Sequence, residues 1–278
     1  MAHKLVITGY GWLAGYLSDA LNGDVLDSRL NIVGTSRQES KLSLLANKGV
    51  KPVRYALGES TLALCEHLKK ATLLINIPPG RRNTDLDAFT QNMKSLISDA
   101  IAAQTAHIVF ISTTSVYGDS KDLALGDVNE KSAVAPETAS AKSHVAIEQY
   151  LASKAASTKY TIVRLAGLVG PDRHPARSLS GRSISDGNKR VNLVHIADVV
   201  EALSRIIKTP PAENLLHLCS LAHPKRGEYY VTAAKALALP PPEFSETDLP
   251  PMGKVINSSK SWQVLGITPT YSNPDDMY

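Results

Sequence analysis

A short apolar run, Leu5–Thr8, gives way to Gly9-Tyr10-Gly11-Trp12-Leu13-Ala14-Gly15 and then to helical periodicity over Trp12–Leu21. This G-x-G-x-x-A loop constrains the fold more than any other feature. It reads as a strand, a tight turn and a helix start in succession, the setting in which such a loop holds a dinucleotide pyrophosphate. Gly9 permits the turn, Gly11 lets the backbone approach phosphate oxygens, and Ala14 or Gly15 lets the helix lie close on the sheet. Trp12 and Leu13, the first helical residues, are expected to offer amides and the positive end of the helix dipole to the anion.

The same rhythm repeats downstream. Leu5–Thr8, Asn31–Gly34, Val50–Tyr55, Thr72–Ile77, His107–Ser112 and Tyr160–Leu165 are too short for helices and read as strands buried on both faces. Helices fit Trp12–Leu21, Thr61–Lys70, Leu86–Ala103 and about Thr138–Lys154. In the third of these Leu86, Phe89, Met93, Ile97 and Ile101 form one apolar stripe, with Thr84 as its expected cap. Strands alternating with helices predict an α/β fold, a doubly wound parallel sheet of the Rossmann type with right-handed crossovers.

After Leu165 the rhythm changes. Gly, Pro, Arg and Ser dominate Gly167–Gly187, before a strand at Arg190–Val194 and a helix after Asp198. From about Thr209 the chain holds helices near Glu228–Leu237 and Ser259–Leu265, on either side of the triplet Pro240–Pro242. The expected division is a dinucleotide-binding domain of residues 1–170 with 190–208, and a small C-terminal substrate or lid subdomain of residues 171–189 with 209–278.

Composition removes several classes of function. With 278 residues, 43% of them hydrophobic and 20% charged, the chain is long enough to bury a sizeable core. A net charge of +4 spread over separated Lys and Arg gives no stripe for nucleic acid, and no apolar stretch reaches the ~20 residues of a membrane span. Cys65 and Cys219 lie far apart among apolar residues, so reduced thiols and a cytoplasmic location are expected, and no leader is recognisable. The eight His show no paired ligand spacing, so no metal is expected.

The second strand ends in Gly34-Thr35-Ser36-Arg37, where an NAD-specific site usually carries a carboxylate for the ribose 2′-hydroxyl. Hydroxyls of Thr35 and Ser36 beside the Arg37 guanidinium suit a 2′-phosphate, which Arg can pair bidentately and a carboxylate would repel. NADP(H) is therefore the expected cofactor and NAD(H) the alternative, with Arg37 as a solvated loop residue in the latter case.

Further along, Ile111-Ser112-Thr113-Thr114-Ser115-Val116-Tyr117-Gly118 resembles the S-[ST]-x-x-V-Y-G segment of extended short-chain dehydrogenases, the group containing nucleotide-sugar epimerases and dehydratases. Arg164-Leu165-Ala166-Gly167 with Gly170-Pro171, and Val194-His195-Ile196-Ala197-Asp198, match further segments of that family. Together with the glycine loop they are similar to an atypical bacterial subgroup, the YeeZ-like proteins. The resemblance covers the chain up to about Ile207.

The resemblance implies that Thr113 hydrogen-bonds the reacting oxygen; a hydroxyl satisfying only local backbone is the other reading. It also implies that Asn76-Ile77-Pro78 passes the middle of the cofactor; Arg81 and Arg82, which follow, either meet phosphates or are solvated loop charges. Asp172-Arg173-His174-Pro175-Ala176-Arg177 and Lys189-Arg190 stand where extended members bind a nucleotide diphosphate, so the expected partner is a small anionic substrate. A homodimer is compatible with the family. His195 is expected to pack beside the sheet, with Asp198 capping the helix after it.

The family's proton-transfer Tyr and its Lys stand as Y-x-x-x-K at a helix start, and here the match breaks. A literal Y-x-x-x-K exists at Tyr150 and Lys154, but Lys154 lies only six residues before the strand at Tyr160, at the wrong end of its helix. Anchoring instead on Glu148-Gln149 puts Ser140 at the Tyr position and His144 at the Lys position. Tyr150 then lies ten residues further on, roughly 15 Å along the axis. Ser140 lacks the acidity of a phenol, whereas His144 is able to bond the ribose or carry a proton near neutral pH, unless it simply faces solvent. Tyr117 and Lys142 are the remaining candidates for a displaced acid. Two functions follow as expectations: an NADP(H)-dependent epimerase- or reductase-like enzyme acting by hydride transfer, or a non-catalytic NADP(H) sensor.

Overall fold

The computed structural model describes residues 4–23, 30–80, 85–119, 127–155, 158–245 and 253–278. The elements of the N-terminal half run β1 (Lys4–Thr8), α1 (Trp12–Asn22), β2 (Asn31–Ser36), α2 (Glu39–Asn47), β3 (Lys51–Arg54), α3 (Leu62–Leu68), β4 (Thr72–Ile75), α4 (Leu86–Ala102) and β5 (His107–Thr113). A 3-10 turn, Thr114–Tyr117, follows directly. Next come β6 (Asp127–Val128), α5 (Ala139–Lys154), β7 (Lys159–Leu165), β8 (Gly167–Val169), α6 (Ala176–Leu179), β9 (Ser183–Ile184), β10 (Leu193–His195) and α7 (Ile196–Lys208). The chain ends with β11 (Leu215–Leu218), α8 (Arg226–Ala236), β12 (Glu243–Phe244), β13 (Val255–Ile256) and α9 (Ser259–Leu265).

Seven strands form the central sheet in the order β11-β7-β5-β4-β1-β2-β3, and the pairs from β5 to β3 are parallel. This is the expected doubly wound sheet. β1 has β2 on one side and β4 on the other, so the loops that follow β1, β2 and β4 open where the winding reverses. Leu5, Val6 and Ile7 are fully buried, as strands covered on both faces must be.

The chain divides into two compact units, residues 1–112, 138–163 and 203–215, and residues 113–137, 164–202 and 216–278. In the first, α4 packs on α5 and turns Phe89, Met93, Leu96 and Ile97 into a cluster with Val33, Ile75, Phe110 and Leu151. Fully burying each such side chain contributes about 1.5–3 kcal/mol. In the second, Val169, Leu193, Tyr229, Tyr230 and Met277 make a separate core.

Several expectations are corrected. α2 has no counterpart among the expected helices, because its sequence is mostly polar and only Leu42 and Leu45 are buried. β11 escapes the sequence pattern because four residues, Leu215–Leu218, carry too little of it to distinguish them from a loop. The strand expected at Arg190–Val194 is Leu193–His195 and pairs with β8 in a two-stranded sheet outside the central one. Asp85, not Thr84, caps α4, its side chain accepting from the amides of Asp87 and Ala88, while Thr84 lies outside the described residues. Asp198 does not cap a helix: α7 already begins at Ile196, and the buried carboxylate accepts from the amides of Thr270 (2.8 Å) and Tyr271 (3.0 Å). His195 stacks on Tyr271 with ring centroids 3.7 Å apart. Both cysteines are free, and burial pushes the Cys219 thiol up to about 12.

Two buried imidazoles set an acid limit on the fold. Burial lowers His107 to about 4, with Lys159 adding to the effect, and lowers His174 to about 4, with Arg177 adding to it. The unfolded chain binds these protons near pH 6.5, so the stability is intact above that pH and is lost as pH falls toward 4. At pH 5 each histidine is expected to cost about 2 kcal/mol. The urea midpoint should therefore drop steeply between pH 7 and pH 5; a midpoint unchanged over that interval would contradict this account.

Candidate functional site

The glycine loop is held by the strand beside it. Gly9 has φ +78°, and a Cβ there would lie 2.5 Å from the Asn76 carbonyl oxygen, so no other residue fits. Asn76 closes the contact twice: its amide donates to Thr8 O at 2.9 Å and its Nδ2 to Gly9 O at 3.1 Å. Gly11 is different. Among the described residues a Cβ there would meet only Gly9 O at 3.9 Å, so their packing does not require a glycine at that place. Of Ala14 and Gly15 it is Ala14, fully buried, that allows α1 to approach the sheet, because a Cβ on Gly15 would meet nothing within 4 Å.

α1 starts at Trp12 with Gly11, which has no side chain to cap it, before the first turn, and no acidic residue stands in that turn. The positive end of the helix beside the loop thus has no acidic residue in its own first turn, which suits an anion. Leu13 is buried, so only its backbone is available there, while Trp12 is half-buried and meets Tyr16 edge-on at 5.0 Å.

Tyr10, which carried no expectation, locks this loop to the end of β2. Its amide donates to Thr35 O at 3.3 Å, its hydroxyl bonds Ser18 Oγ, and its ring lies where a Cβ on Gly34 would stand. The available signal is Gly34 itself, a residue without a side chain in a buried strand. Thr35 is buried, Ser36 Oγ accepts from Gln38 N at 3.1 Å, and Arg37 is exposed. Ile77 leans on the apolar cluster and Pro78 is exposed. Arg81 and Arg82 lie outside the described residues.

At the start of α5, Thr138 caps by accepting from Ala141 N at 3.1 Å. Ser140 and His144 are joined, with His144 Nδ1 lying 2.8 Å from Ser140 O. A carbonyl only accepts, so Nδ1 carries the proton and Nε2 is left with a lone pair. The solvent-facing alternative for His144 is overturned: the residue is 7% exposed, and its ring stacks on Phe110 with centroids 6.0 Å apart. Desolvation lowers its pKa, against raising contributions from Ser140 O and Glu148, so it is neutral at pH 7. Glu148, one turn on, is also buried and accepts from Ser112 Oγ at 2.5 Å. Lys142 is exposed.

Tyr150 stands in the distal half of α5, its hydroxyl 2.6 Å from Ser98 Oγ on α4. The ring joins the apolar cluster, with Lys94 and Lys154 nitrogens 5.7 and 5.9 Å from its centre. These contacts give Y-x-x-x-K a packing role.

In the second unit, Thr113 Oγ1 accepts from Ser115 N at 3.1 Å and donates to Ser115 Oγ at 3.0 Å, capping the 3-10 turn. Local backbone is thus one use of this hydroxyl. Tyr117 is corrected as a displaced acid. It is 2% exposed, and its hydroxyl is held by Arg164 (2.5 Å), His217 Nε2 (2.6 Å) and Asn129 O (3.2 Å). A phenol enclosed in this way cannot reach a ligand.

The basic segment is likewise reduced. His174 turns inward to the Tyr229 hydroxyl at 2.8 Å, Lys189 pairs with Asp119 at 2.9 Å, and Arg190 donates to His223 O at 3.1 Å. Asp172, Arg173 and Arg177 are exposed. Among the described residues no three His, Cys, Asp or Glu are grouped to hold a metal, and no helix is long and apolar enough to cross a membrane.

A parallel sheet with a glycine-preceded helix at its winding reversal is a doubly wound fold, the class in which dinucleotides are bound at that point. Residues 5–217 match the NAD dependent epimerase/dehydratase family. The chain belongs to that family. It is 32% identical over 277 residues to Protein YeeZ of Escherichia coli (strain K12), covering 98% of this chain and 97% of that one. Among solved structures it is similar to a functionally unknown conserved protein from Silicibacter pomeroyi DSS, with TM-score 0.74, 24% identity and 99% and 96% of the two chains covered. It is similar in fold to UDP-glucuronic acid 4-epimerase from Bacillus cereus in complex with NAD, with TM-score 0.77, 16% identity and 99% and 95% covered.

Gly34→Ala is expected to push a methyl group against Tyr10 and Val50, 2.8 and 2.9 Å away, loosening the loop at a cost of about 1–3 kcal/mol. Its melting temperature and its cofactor affinity should fall together; a variant that kept both would refute the role given to Tyr10. Tyr150→Phe is expected to lose about 1 kcal/mol of stability and leave cofactor affinity unchanged. Loss of binding or turnover by a folded Tyr150→Phe protein would restore the literal motif to the site.

Proposed function

We propose that this chain is an NADP(H)-dependent oxidoreductase of the epimerase/dehydratase kind, moving a hydride at a carbinol or carbonyl carbon of an anionic, nucleotide-linked substrate. The observation that carries the proposal is the bare approach at Gly11, where smallness serves no close contact among the described residues, in front of the first amides of α1, in whose first turn no acidic residue stands. These donors fit a pyrophosphate. Ser36 and Arg37, with no carboxylate at the end of β2, favour a 2′-phosphate over a free 2′-hydroxyl. The substrate class is supported by the UDP-glucuronic acid 4-epimerase whose fold the chain shares.

In this reading the amides of Trp12 and Leu13 hold the pyrophosphate beside Gly11, whose own amide donates to Gly9 O at 2.8 Å, and Thr35, Ser36 and Arg37 hold the adenosine end. Asn76 keeps the loop in place, and Ile77 and Pro78 border the middle of the cofactor. A bound nicotinamide supplies the hydride donor or acceptor. Thr113 polarises the reacting oxygen in addition to capping its turn. His144, neutral and with Nδ1–H fixed on Ser140 O, presents Nε2 to a ribose hydroxyl or takes the proton released from the carbinol. Ser140 contributes its carbonyl to that alignment. We assign the cytoplasm as its location and leave a homodimer as compatible with the reading.

The substitution of Ser140 and His144 for the family's Tyr and Lys favours one other reading, an NADP(H)-binding regulatory protein without turnover. Incubation with NADP+ or NADPH and a panel of UDP-sugars and small carbonyl compounds separates the two, with absorbance at 340 nm and product isomers as readouts. Turnover that is lost in His144→Ala, with NADPH affinity changed less than about threefold, supports the enzyme. Tight NADPH binding with no change in any substrate supports the regulator. Arg37→Ala is expected to weaken NADPH about tenfold and NADH hardly at all; an unaltered ratio of the two affinities would remove the argument for the 2′-phosphate.

A further inference from the structure

Arg54 is a cation on the same sheet edge to which the cofactor reading gives no task. It ends β3, the outermost strand, and pairs in register with Ser36, the last residue of β2. The alignment continues one residue further, where Tyr55 N donates to Ser36 O at 3.2 Å. Register partners in adjacent parallel strands stand on the same face, and so do alternate residues of one strand. Val33 and Val53 belong to the apolar cluster with α4 and α5 on one face. Gly34 faces the Tyr10 ring and Leu45 of α2 on the other. Ser36 and Arg54 share the face of Gly34. They stand side by side on strands ~4.8 Å apart, and Arg37 follows Ser36 directly.

We propose that Arg54 is a second specificity-determining residue of the cofactor site, joining Arg37 across Ser36 to hold the 2′-phosphate of NADP(H). The inference rests on the NADP(H) reading given above and adds a residue from a different strand. A phosphate monoester carries close to two negative charges at pH 7 and three acceptor oxygens, more than one guanidinium neutralises or satisfies.

Arg54 is held ready by a weak partner. Its Nη1 lies 3.2 Å from Glu59 Oε2, with the two side chains 61% and 45% exposed. An ion pair this open to water contributes little, so a dianion offering two parallel bonds displaces it readily. Glu59 is carried on a turn closed by its own amide, which donates to Ala56 O at 3.0 Å. Its carboxylate therefore competes with the phosphate for the same guanidinium. That competition makes the charge at Glu59, as well as at Arg54, part of the cofactor preference.

The test measures Kd for NADPH and NADH with the full chain as wild type, Arg54→Ala and Glu59→Gln. Adenosine 2′,5′-bisphosphate and 5′-AMP serve as probes that differ in the 2′-phosphate alone. Arg54→Ala is expected to weaken NADPH and the bisphosphate about tenfold and NADH and 5′-AMP less than about twofold. Glu59→Gln, which removes the competitor and keeps Arg54, is expected to strengthen NADPH alone, by about threefold. A wild type that prefers NADPH, with Arg54→Ala keeping the same NADPH to NADH ratio, overturns the role of Arg54 and leaves the NADP(H) reading standing. A wild type without preference for NADPH overturns the reading, and this inference with it.

Discussion

Much of this protein depends on one contact, the wedging of Gly9 against the backbone of Asn76. The turn after β1 can take φ +78° only without a Cβ, and the carbonyl of Asn76 occupies the space that a Cβ would need. Asn76 then bonds both Thr8 and Gly9, so the end of β4 fixes the exit of β1. Tyr10 does the same toward β2 through Thr35 and Gly34. A loop tied on both sides presents the start of α1 in one orientation. Such rigidity lowers the cost of binding a charged ligand, because little has to be ordered when it arrives.

The second determinant is the environment of His144. On a solvent-facing surface this histidine would titrate near neutrality with no fixed tautomer. Burial keeps it neutral, and the Ser140 carbonyl assigns the proton to Nδ1. The first turns of α5 thus offer a hydrogen-bond acceptor where the family resemblance implies the ammonium of a lysine. That is a different chemical proposition, with proton acceptance in place of a standing positive charge. Glu148, buried on the same helix, accepts from Ser112 Oγ and opposes the lowering that burial imposes on His144.

The periodic parts of the fold are legible in the sequence, and the exceptions have physical causes. Doubly buried strands such as Leu5–Thr8 and the striped helix α4 announce themselves by pattern. α2 and β11 do not, since one hides a narrow apolar edge in a polar segment and the other is too short to show alternation. In the site, glycine spacing points to the loop, but no rule at the level of sequence separates Gly9, demanded by the protein, from Gly11, free of such demand. Tyr117 sits in a recognisable segment and is nonetheless enclosed, because His217, a hundred residues away, and Arg164 reach it only in three dimensions. Asp198 reads as a local cap for the same reason, its partners being Thr270 and Tyr271.

In the proposed function the loop clamped by Asn76 and Tyr10 holds NADP(H) by backbone amides at the start of α1. A crystal structure of the NADPH complex tests it most directly. Pyrophosphate oxygens are expected within about 3 Å of the amides of Trp12 and Leu13, and the 2′-phosphate beside Ser36 and Arg37. A pyrophosphate bound away from Gly11, or a 2′-phosphate directed into solvent, would contradict it.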